Sequence, residues 1–510
     1  MCSTAGIPSM KIQGLEILTL TATYIQNYTF PAIPVLGFDG SSYANMNFCN
    51  VTVAYTHPGW NDQIHVMVYL PSEGWNGRFQ ATGGGGFIAG GGLLSSFYMA
   101  PALLDGFAVA TSDGGHSVDM ATAAVDVSDW ALSSPGNVNW HLLVDFASVT
   151  LHDMAEIGKA VTTAYYGTPP HHSYFYGAST GGRQGLMIAQ RYPNDFDGIV
   201  ALCPAINWAQ VVVASQWPQL VMNQLNVYPP GCELKAITNE AISACDGLDG
   251  VEDGIISLPG LCDFDPHTVV GKTFDCDGNS SVITSAAATV AKAAWSGPRS
   301  ATGEWQWFGI GKDADLGTKG MGVASTICDE DQNCKGLPFP ITTSWIKYFV
   351  KRGSEFDIST ITHEEWDSIF HASVNEYESV IGTADPDLSE LRKTGAKMLS
   401  LHGLQDAVIP VNGSVQYYDR VLDRDPTAQD FFRLFLVPGA SHSLDDGPVP
   451  KKMVDAIVKW VEEDIAPDTL RGIGKDGYGT TVDRDLCMYP RVQVYRSGDP
   501  TIASSFECTE

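Results

Sequence analysis

His171-His-Ser-Tyr-Phe-Tyr-Gly-Ala-Ser-Thr-Gly-Gly-Arg-Gln-Gly185 decides how this chain is read. Tyr174, Phe175 and Tyr176 predict a β-strand, and Leu186-Met-Ile-Ala-Gln-Arg191 predicts a helix directly behind it. Between them lies Gly177-x-Ser179-x-Gly181, the strand–turn–helix setting of a nucleophile elbow. Small residues must flank the serine because neighbouring Cβ atoms would clash at so sharp a turn. An ordinary glycine-rich turn could carry the same five residues. The strand before and the helix after favour Ser179 as a nucleophile.

Working outward, strand-length apolar runs appear at Val51–Tyr55, Ile64–Leu70, Phe107–Thr111 and Gly198–Leu202, and Pro58-Gly59 marks a turn between the first two. The first fifty residues read as a β-rich entry, with Ile12, Ile17, Leu18 and Leu20 followed by turns at Pro31 and Pro34. Residues 139–166 place Leu142, Leu143, Phe146, Val149, Leu151, Met154, Ile157 and Val161 at helical spacing, which predicts one long helix. Alternation of strands and helices builds a mostly parallel α/β sheet. The alternation stops near residue 205 and resumes at Lys397-Met-Leu-Ser-Leu-His402, followed by Phe432–Val437 and a closing helix over Lys452–Val461. The expectation is therefore a catalytic domain formed by 1–204 and 396–510, interrupted by an inserted lid domain at 205–395 that is rich in tryptophan and cysteine. A chain of 510 residues is long enough for both.

A serine hydroxyl needs a histidine base, and the base needs an acid to orient it. In chain order the partners should follow the nucleophile as acid and then histidine, on loops after late strands. Asp406, in Leu401-His-Gly-Leu-Gln-Asp406, and His442, in Val437-Pro-Gly-Ala-Ser-His442, occupy such loops. His402 and Asp445 compete for these roles but are offset from the expected positions, and His116 reads as a loop histidine. Arg78-Phe-Gln-Ala-Thr opens into Gly83-Gly-Gly-Gly86. Four bare residues let backbone N–H groups approach a substrate oxygen, which suits an oxyanion hole shared with the amide of Thr180.

A second constellation runs from Cys245 to Cys262. Asp246, Asp249 and Asp253, interleaved with glycines, can converge carboxylates on a hard cation, which suits calcium. Ser257 stands where an EF-hand has its closing glutamate, so the loop is of another type. Its location in the insertion implies a structural role.

The balance of 29 basic against 58 acidic residues gives a net charge of -29, which argues against nucleic acid and anionic membrane as partners. No run of about 18 apolar residues is present. Eleven cysteines, together with acceptor sequons at Asn27, Asn50, Asn279 and Asn412, point to a secreted glycoprotein whose leader is already removed. Cys2 with Cys49, Cys328 with Cys334, and Cys487 with Cys508 are natural pairs. Cys203, Cys232 and Cys276 are left unassigned, and an odd total leaves at least one thiol over.

Taken together, Tyr176–Gly185, Arg191-Tyr-Pro-Asn-Asp-Phe-Asp-Gly198, Pro204-Ala-Ile-Asn-Trp208, the Cys245–Cys262 loop, Leu401–Asp406 and Val437–His442 resemble the tannase and feruloyl esterase family. The resemblance implies an α/β-hydrolase core whose inserted lid carries the calcium loop and the aromatic-acid pocket. It implies Ser179 as nucleophile, His442 as base and Asp406 as its partner, with oxyanion donors on Gly85, Gly86 and Thr180. It also implies calcium held by the side chains of Asp246, Asp249 and Asp253 and the carbonyls of Val251 and Ile255. The activity implied is hydrolysis of a small-molecule aromatic ester, feruloyl- or galloyl-type, through an acyl-serine. Acyl transfer to an alcohol and catalytically silent ester binding are the rival readings. The chain departs from the family at Ala178 and Ser443, where the family usually carries two cysteines that tie the catalytic loops. On this ground the chain is expected to be an atypical member, with some other packing holding those loops.

Overall fold

A computed structural model describes every residue except 1, 5–6, 8–9, 31–42, 277, 319–320 and 331–332; the turns expected at Pro31 and Pro34 lie outside the described residues. Nine strands form the main sheet: β1 (Glu16–Phe30), β2 (Tyr43–Thr56), β3 (Ile64–Pro71), β4 (Arg78–Thr82), β5 (Ala108–Ser112), β6 (His172–Ala178), β7 (Gly198–Leu202), β8 (Lys397–Gly403) and β9 (Phe432–Val437). Their spatial order is β1-β2-β3-β5-β4-β6-β7-β8-β9. The run from β5 to β9 is parallel throughout, and the three strands before it pair antiparallel. This is a mostly parallel sheet of α/β-hydrolase type.

Helices α1 (Gly92–Leu104), α2 (Thr150–Tyr166), α3 (Thr180–Arg191), α4 (Val411–Arg424) and α5 (Met453–Glu463) cover the two faces. Strand residues alternate between those faces. Phe175, Ile199 and Met398 pack with α2, α3 and α4, whereas Tyr174, Tyr176, Val200 and Leu399 pack with α1 and α5. With both faces covered, the central strands are continuous apolar runs such as Gly198-Ile-Val-Ala-Leu202, which is buried along its whole length. The parallel register brings the C-terminal ends of β6, β7, β8 and β9 to one edge, with Ala178 beside Leu202, Leu202 beside Leu401, and Gly403 beside Val437. Ser179, Asp406 and His442 therefore emerge at the same edge.

The helix expected over 139–166 is interrupted. A short helix at Trp140–Val144 passes through a π-helical turn at Asp145–Val149 before α2 begins. The extra residue in that turn frees the carbonyls of Phe146 and Ala147, which accept hydrogen bonds from Arg183 on α3 at 3.2 and 2.9 Å. Residues 203–396 connect β7 to β8, and within them Trp208, Trp217, Trp345 and Trp366 pack into one apolar cluster with Phe87, Trp130 and Phe146. The C-terminal residues form two hairpins, Thr469–Lys475 with Thr481–Cys487 and Val492–Tyr495 with Phe506–Thr509.

Five disulfides are present: Cys2–Cys49, Cys232–Cys276, Cys245–Cys262, Cys328–Cys334 and Cys487–Cys508. Cys276 thus pairs with Cys232, a bond the sequence alone does not assign. Cys203 is the buried free thiol. The expectation that this chain stands apart by missing disulfide cysteines is not supported by so complete a pairing. The loops that carry Asp406 and His442 are joined through backbone hydrogen bonds instead, Leu404 N–H to Val437 O at 2.9 Å and Gln405 N–H to Ala440 O at 3.0 Å.

Candidate active site

Ser179 sits at φ 61° and ψ -121°, between the last residue of β6 and the first of α3. A non-glycine residue in that region is strained by of order 1–3 kcal/mol and persists only where its surroundings hold it. Here its N–H donates to Leu202 O at 2.9 Å, and its carbonyl accepts from Arg183 N–H and Ala205 N–H at 3.0 and 3.1 Å. Gly177 is required by the same turn, because a Cβ there would lie 2.5 Å from Gly181 O.

His442 Nε2 lies 3.1 Å from Ser179 Oγ, and His442 Nδ1 lies 2.8 Å from Asp406 Oδ2. The other oxygen of Asp406 accepts from Val408 N–H and Ile409 N–H, both at 2.8 Å. Burial would raise the Asp406 carboxyl, but the His442 charge and hydrogen bonds from His402 and His442 hold it well below the usual carboxylate range. For His442, burial favours the neutral ring, and the Asp406 charge with its hydrogen bond outweighs this, so the imidazole is raised above 6.5. The serine, histidine and aspartate predicted from the sequence thus form one hydrogen-bonded line.

His402 is buried beside this line and is not a substitute for His442. Its Nε2 shares Asp406 Oδ2 at 3.1 Å and its Nδ1 meets Ser414 Oγ at 2.8 Å. Asp445 is exposed and accepts from Ser441 Oγ. His116 is buried against Trp130, and burial lowers its pKa to about 4. Cys203 packs behind the line, with its Sγ inside the cluster formed by Asp406 and His442.

The glycine run folds back over the start of α3. Gly84 N–H donates to Gln184 Oε1 at 3.0 Å, Gly84 O accepts from Gly181 N–H at 3.0 Å, and Thr180 Oγ1 donates to Gly86 O at 2.7 Å. Gly85 does not fit the donor role expected of it, because its N–H is committed to Ile88 O at 3.0 Å in a small bridge. Gly86, at φ 58°, is the member of the run next to Thr180 whose amide no backbone carbonyl takes among the described residues. Arg183 was not singled out by the sequence, yet its fully buried guanidinium also stacks over Phe146 and Trp208, joining α3 to the segment that follows β7. Burial and the neighbouring Arg191 lower its pKa to about 9.

In the Cys245–Cys262 loop, Asp246 is used by the backbone. It accepts from the N–H groups of Asp253, Gly254 and Ile255 at 3.0, 2.8 and 3.3 Å. Asp249 accepts from Val251 N–H. Asp253 Oδ2 faces Arg484 of the C-terminal hairpin at 3.3 Å, and its buried Oδ1 has no hydrogen-bond partner. Burial and then the Asp249 charge push the Asp253 carboxyl up to about 6. The carboxylates of this loop are not among the acidic clusters that close to within 4.8 Å among the described residues.

A mostly parallel sheet with a strained serine between strand and helix, hydrogen-bonded through histidine to a buried aspartate, is the architecture of an α/β-hydrolase. Residues 49–509 match the family "Tannase and feruloyl esterase", and the chain belongs to it. It is 41% identical to a "Probable feruloyl esterase" of Arthroderma benhamiae over 99% of this chain and 93% of that protein. It is 29% identical to a tannase of Aspergillus oryzae over 92% of this chain and 86% of that one. Among solved structures, a tannin acyl hydrolase from Aspergillus niger superposes with a TM-score of 0.86 at 26% identity, covering 99% of this chain and 94% of the other. Feruloyl esterase B from Aspergillus oryzae gives 0.79 at 26% identity, with 98% of each chain covered. The chain is a carboxylic ester hydrolase.

Proposed function

We propose that this protein is a secreted serine esterase that cleaves esters of phenolic aromatic acids, feruloyl- or galloyl-type, through an acyl-serine. The observation that carries the reading is the line from Ser179 Oγ through His442 to Asp406, at 3.1 and 2.8 Å. As Oγ attacks the ester carbonyl, its proton passes to His442 Nε2. Negative charge moves onto the carbonyl oxygen, where the amides of Gly86 and Thr180 are the candidate donors. Collapse expels the alcohol, which takes the proton from His442. Water then repeats the sequence on the acyl-serine: His442 removes its proton, the acid leaves, and Ser179 regains its hydrogen. Asp406 holds the histidine in the tautomer that keeps Nε2 able to accept. The substrate class rests on the names of the relatives.

In this reading residues 205–395 form the lid over the catalytic domain of 1–204 and 396–510, with Trp208 stacked under Arg183 and against Phe87. Asn27, Asn279 and Asn412 are exposed and suit glycosylation, whereas Asn50 is paired on both sides in β2. The Asp246–Asp253 loop fits calcium in charge and donor type. Its buried carboxylates face one arginine, Asp253 Oδ1 is unpaired, and the available donors are oxygens. Asp249 and Asp253, with the carbonyls of Val251 and Ile255, would hold the ion, while Asp246 shapes the loop and adds charge. The ion would supply structural stability.

Incubation with methyl ferulate or methyl gallate in the presence of ethanol tests the reading. Free acid is the expected product. A new ethyl ester as main product would make the enzyme an acyltransferase, and no turnover by folded protein would leave a silent binding protein.

A further inference from the structure

A second group of ionisable side chains lies outside the catalytic line. His57 follows β2, Asp62 precedes β3, and Asp145 opens the π-helical turn ahead of α2, which carries Asp153. His57 Nδ1 lies 2.6 Å from Asp62 Oδ2 and 3.7 Å from Asp145 Oδ1. Ligand atoms of these three residues all fall within 4.8 Å of one another, and all three are buried. Asp145 has no exposed surface, and neither of its carboxylate oxygens has a hydrogen-bond partner, although Oδ1 points at the imidazole. A buried carboxylate left in that state costs several kcal/mol unless a positive charge faces it. Without a further cation, burial and the Asp62 charge leave Asp145 holding a proton that it shares with Asp62.

The opposite edge of the ring is arranged as a metal-bound histidine requires. His57 Nε2 lies 3.1 Å from Asp153 Oδ2, and that oxygen also accepts from Tyr55 Oη at 2.9 Å. Both ring nitrogens face carboxylates, so a cation would have to displace the proton between Nδ1 and Asp62, after which Asp153 would hold the Nε2–H and make Nδ1 a more basic ligand. Tetrahedral ligands about 2.0–2.2 Å from a zinc ion stand roughly 3.4 Å apart; the 3.7 Å to Asp145 Oδ1 is near that spacing, and the 2.6 Å hydrogen bond to Asp62 Oδ2 would open toward it on binding.

We infer that His57 Nδ1, Asp62 and Asp145 form a second, structural site for a divalent transition cation of the zinc type, with Asp153 and Tyr55 as its outer support. Imidazole nitrogen with carboxylate oxygens suits zinc and separates this site by chemistry from the all-oxygen Asp246 loop. An ion here would pin the first residue of the π-helical turn. That turn presents the Phe146 and Ala147 carbonyls to Arg183, four residues beyond Ser179. The site would thereby brace the nucleophile helix without touching substrate.

The experiment is zinc titration of chelator-stripped, folded protein by calorimetry and elemental analysis. It compares wild type with Asp249→Asn, Asp145→Asn and His57→Gln. Wild type and Asp249→Asn should each retain one more equivalent of zinc than the other two, and only the former pair should gain melting temperature on zinc addition. Equal zinc content in all four, or none in wild type, overturns the proposal and leaves Asp62 and Asp145 sharing a proton. Should a variant fail to fold, cobalt-loaded wild type decides. A strongly shifted, slowly exchanging imidazole N–H proton in its NMR spectrum supports a buried histidine ligand, and the absence of such a resonance overturns it.

Discussion

Replacing Asp406 by asparagine tests the proposed catalytic line most directly, because the structure specifies how the amide must sit. Oδ1 accepts two backbone N–H groups at 2.8 Å, so the amide oxygen must occupy that side and the NH2 must replace Oδ2. One of its hydrogens then points at His442 Nδ1 and the other at His402 Nε2. His402 adapts, since its Nδ1–H can donate to Ser414 Oγ. His442 cannot adapt without loss: with Nδ1 accepting, its proton sits on Nε2, facing Ser179 Oγ, and no lone pair remains to take the serine proton. The expected loss is about 10⁴ in kcat, equivalent to about 5.5 kcal/mol of transition-state stabilisation. Folding should suffer less, by about 1–3 kcal/mol for the weakened charge-assisted hydrogen bonds. The pH profile carries a second signature. The Asp406 charge opposes the effect of burial on His442, so without it the acid limb of the residual rate should move to lower pH. Steady-state hydrolysis of an aryl ester from pH 4 to 9, with thermal melts as the folding control, reads both. A loss below about tenfold in folded protein, with an unmoved acid limb, would refute Asp406 as the residue that orients the base.

Ser179→Ala should abolish covalent labelling by a serine-directed phosphonate, and undiminished labelling on intact-mass analysis would remove Ser179 from its role. In wild type, the rate should rise with pH as His442 loses its proton, with a midpoint above 6.5 because the folded environment raises that pKa; a profile flat from pH 5 to 8 would count against His442. Chelation should lower the melting temperature while leaving the rate of still-folded enzyme unchanged, and Asp253→Asn should remove the calcium-dependent part of the shift. Gly84→Ala places a Cβ 2.0 Å from Ile88 O and 2.6 Å from the Ala89 carbonyl carbon, so the glycine run must move. A loss of about 10² to 10³ in kcat is expected if that run carries an oxyanion donor, and near-wild-type turnover would show that it does not.

The parts of this enzyme legible in the sequence are those in which one short segment determines both conformation and position. A strand buried on both faces is an unbroken apolar run, so β6, β7, β8 and β9 could be recognised in isolation. Parallel pairing then carries their C-terminal ends to one edge, which is why Asp406 and His442, each in the loop after a strand, meet Ser179 across 227 and 263 residues of sequence respectively. The features that stayed hidden depend on pairings that no local pattern announces. Arg484 faces Asp253 only because the C-terminal hairpin returns to the Cys245–Cys262 loop. Cys232 meets Cys276 through a strand too short and polar to be read as one. Gly85 and Gly86 are indistinguishable as letters, and a single hydrogen bond to Ile88 O separates them. The π-helical turn is concealed for a different reason. Helical periodicity across 139–166 is dominated by its apolar positions, so one extra residue does not disturb the pattern enough to be seen. Yet that residue sets which carbonyls Arg183 can reach and aims Asp145 at His57. The irregularity is therefore where the chain couples a buried charge cluster to α3, the helix behind Ser179, and regular periods alone do not show it.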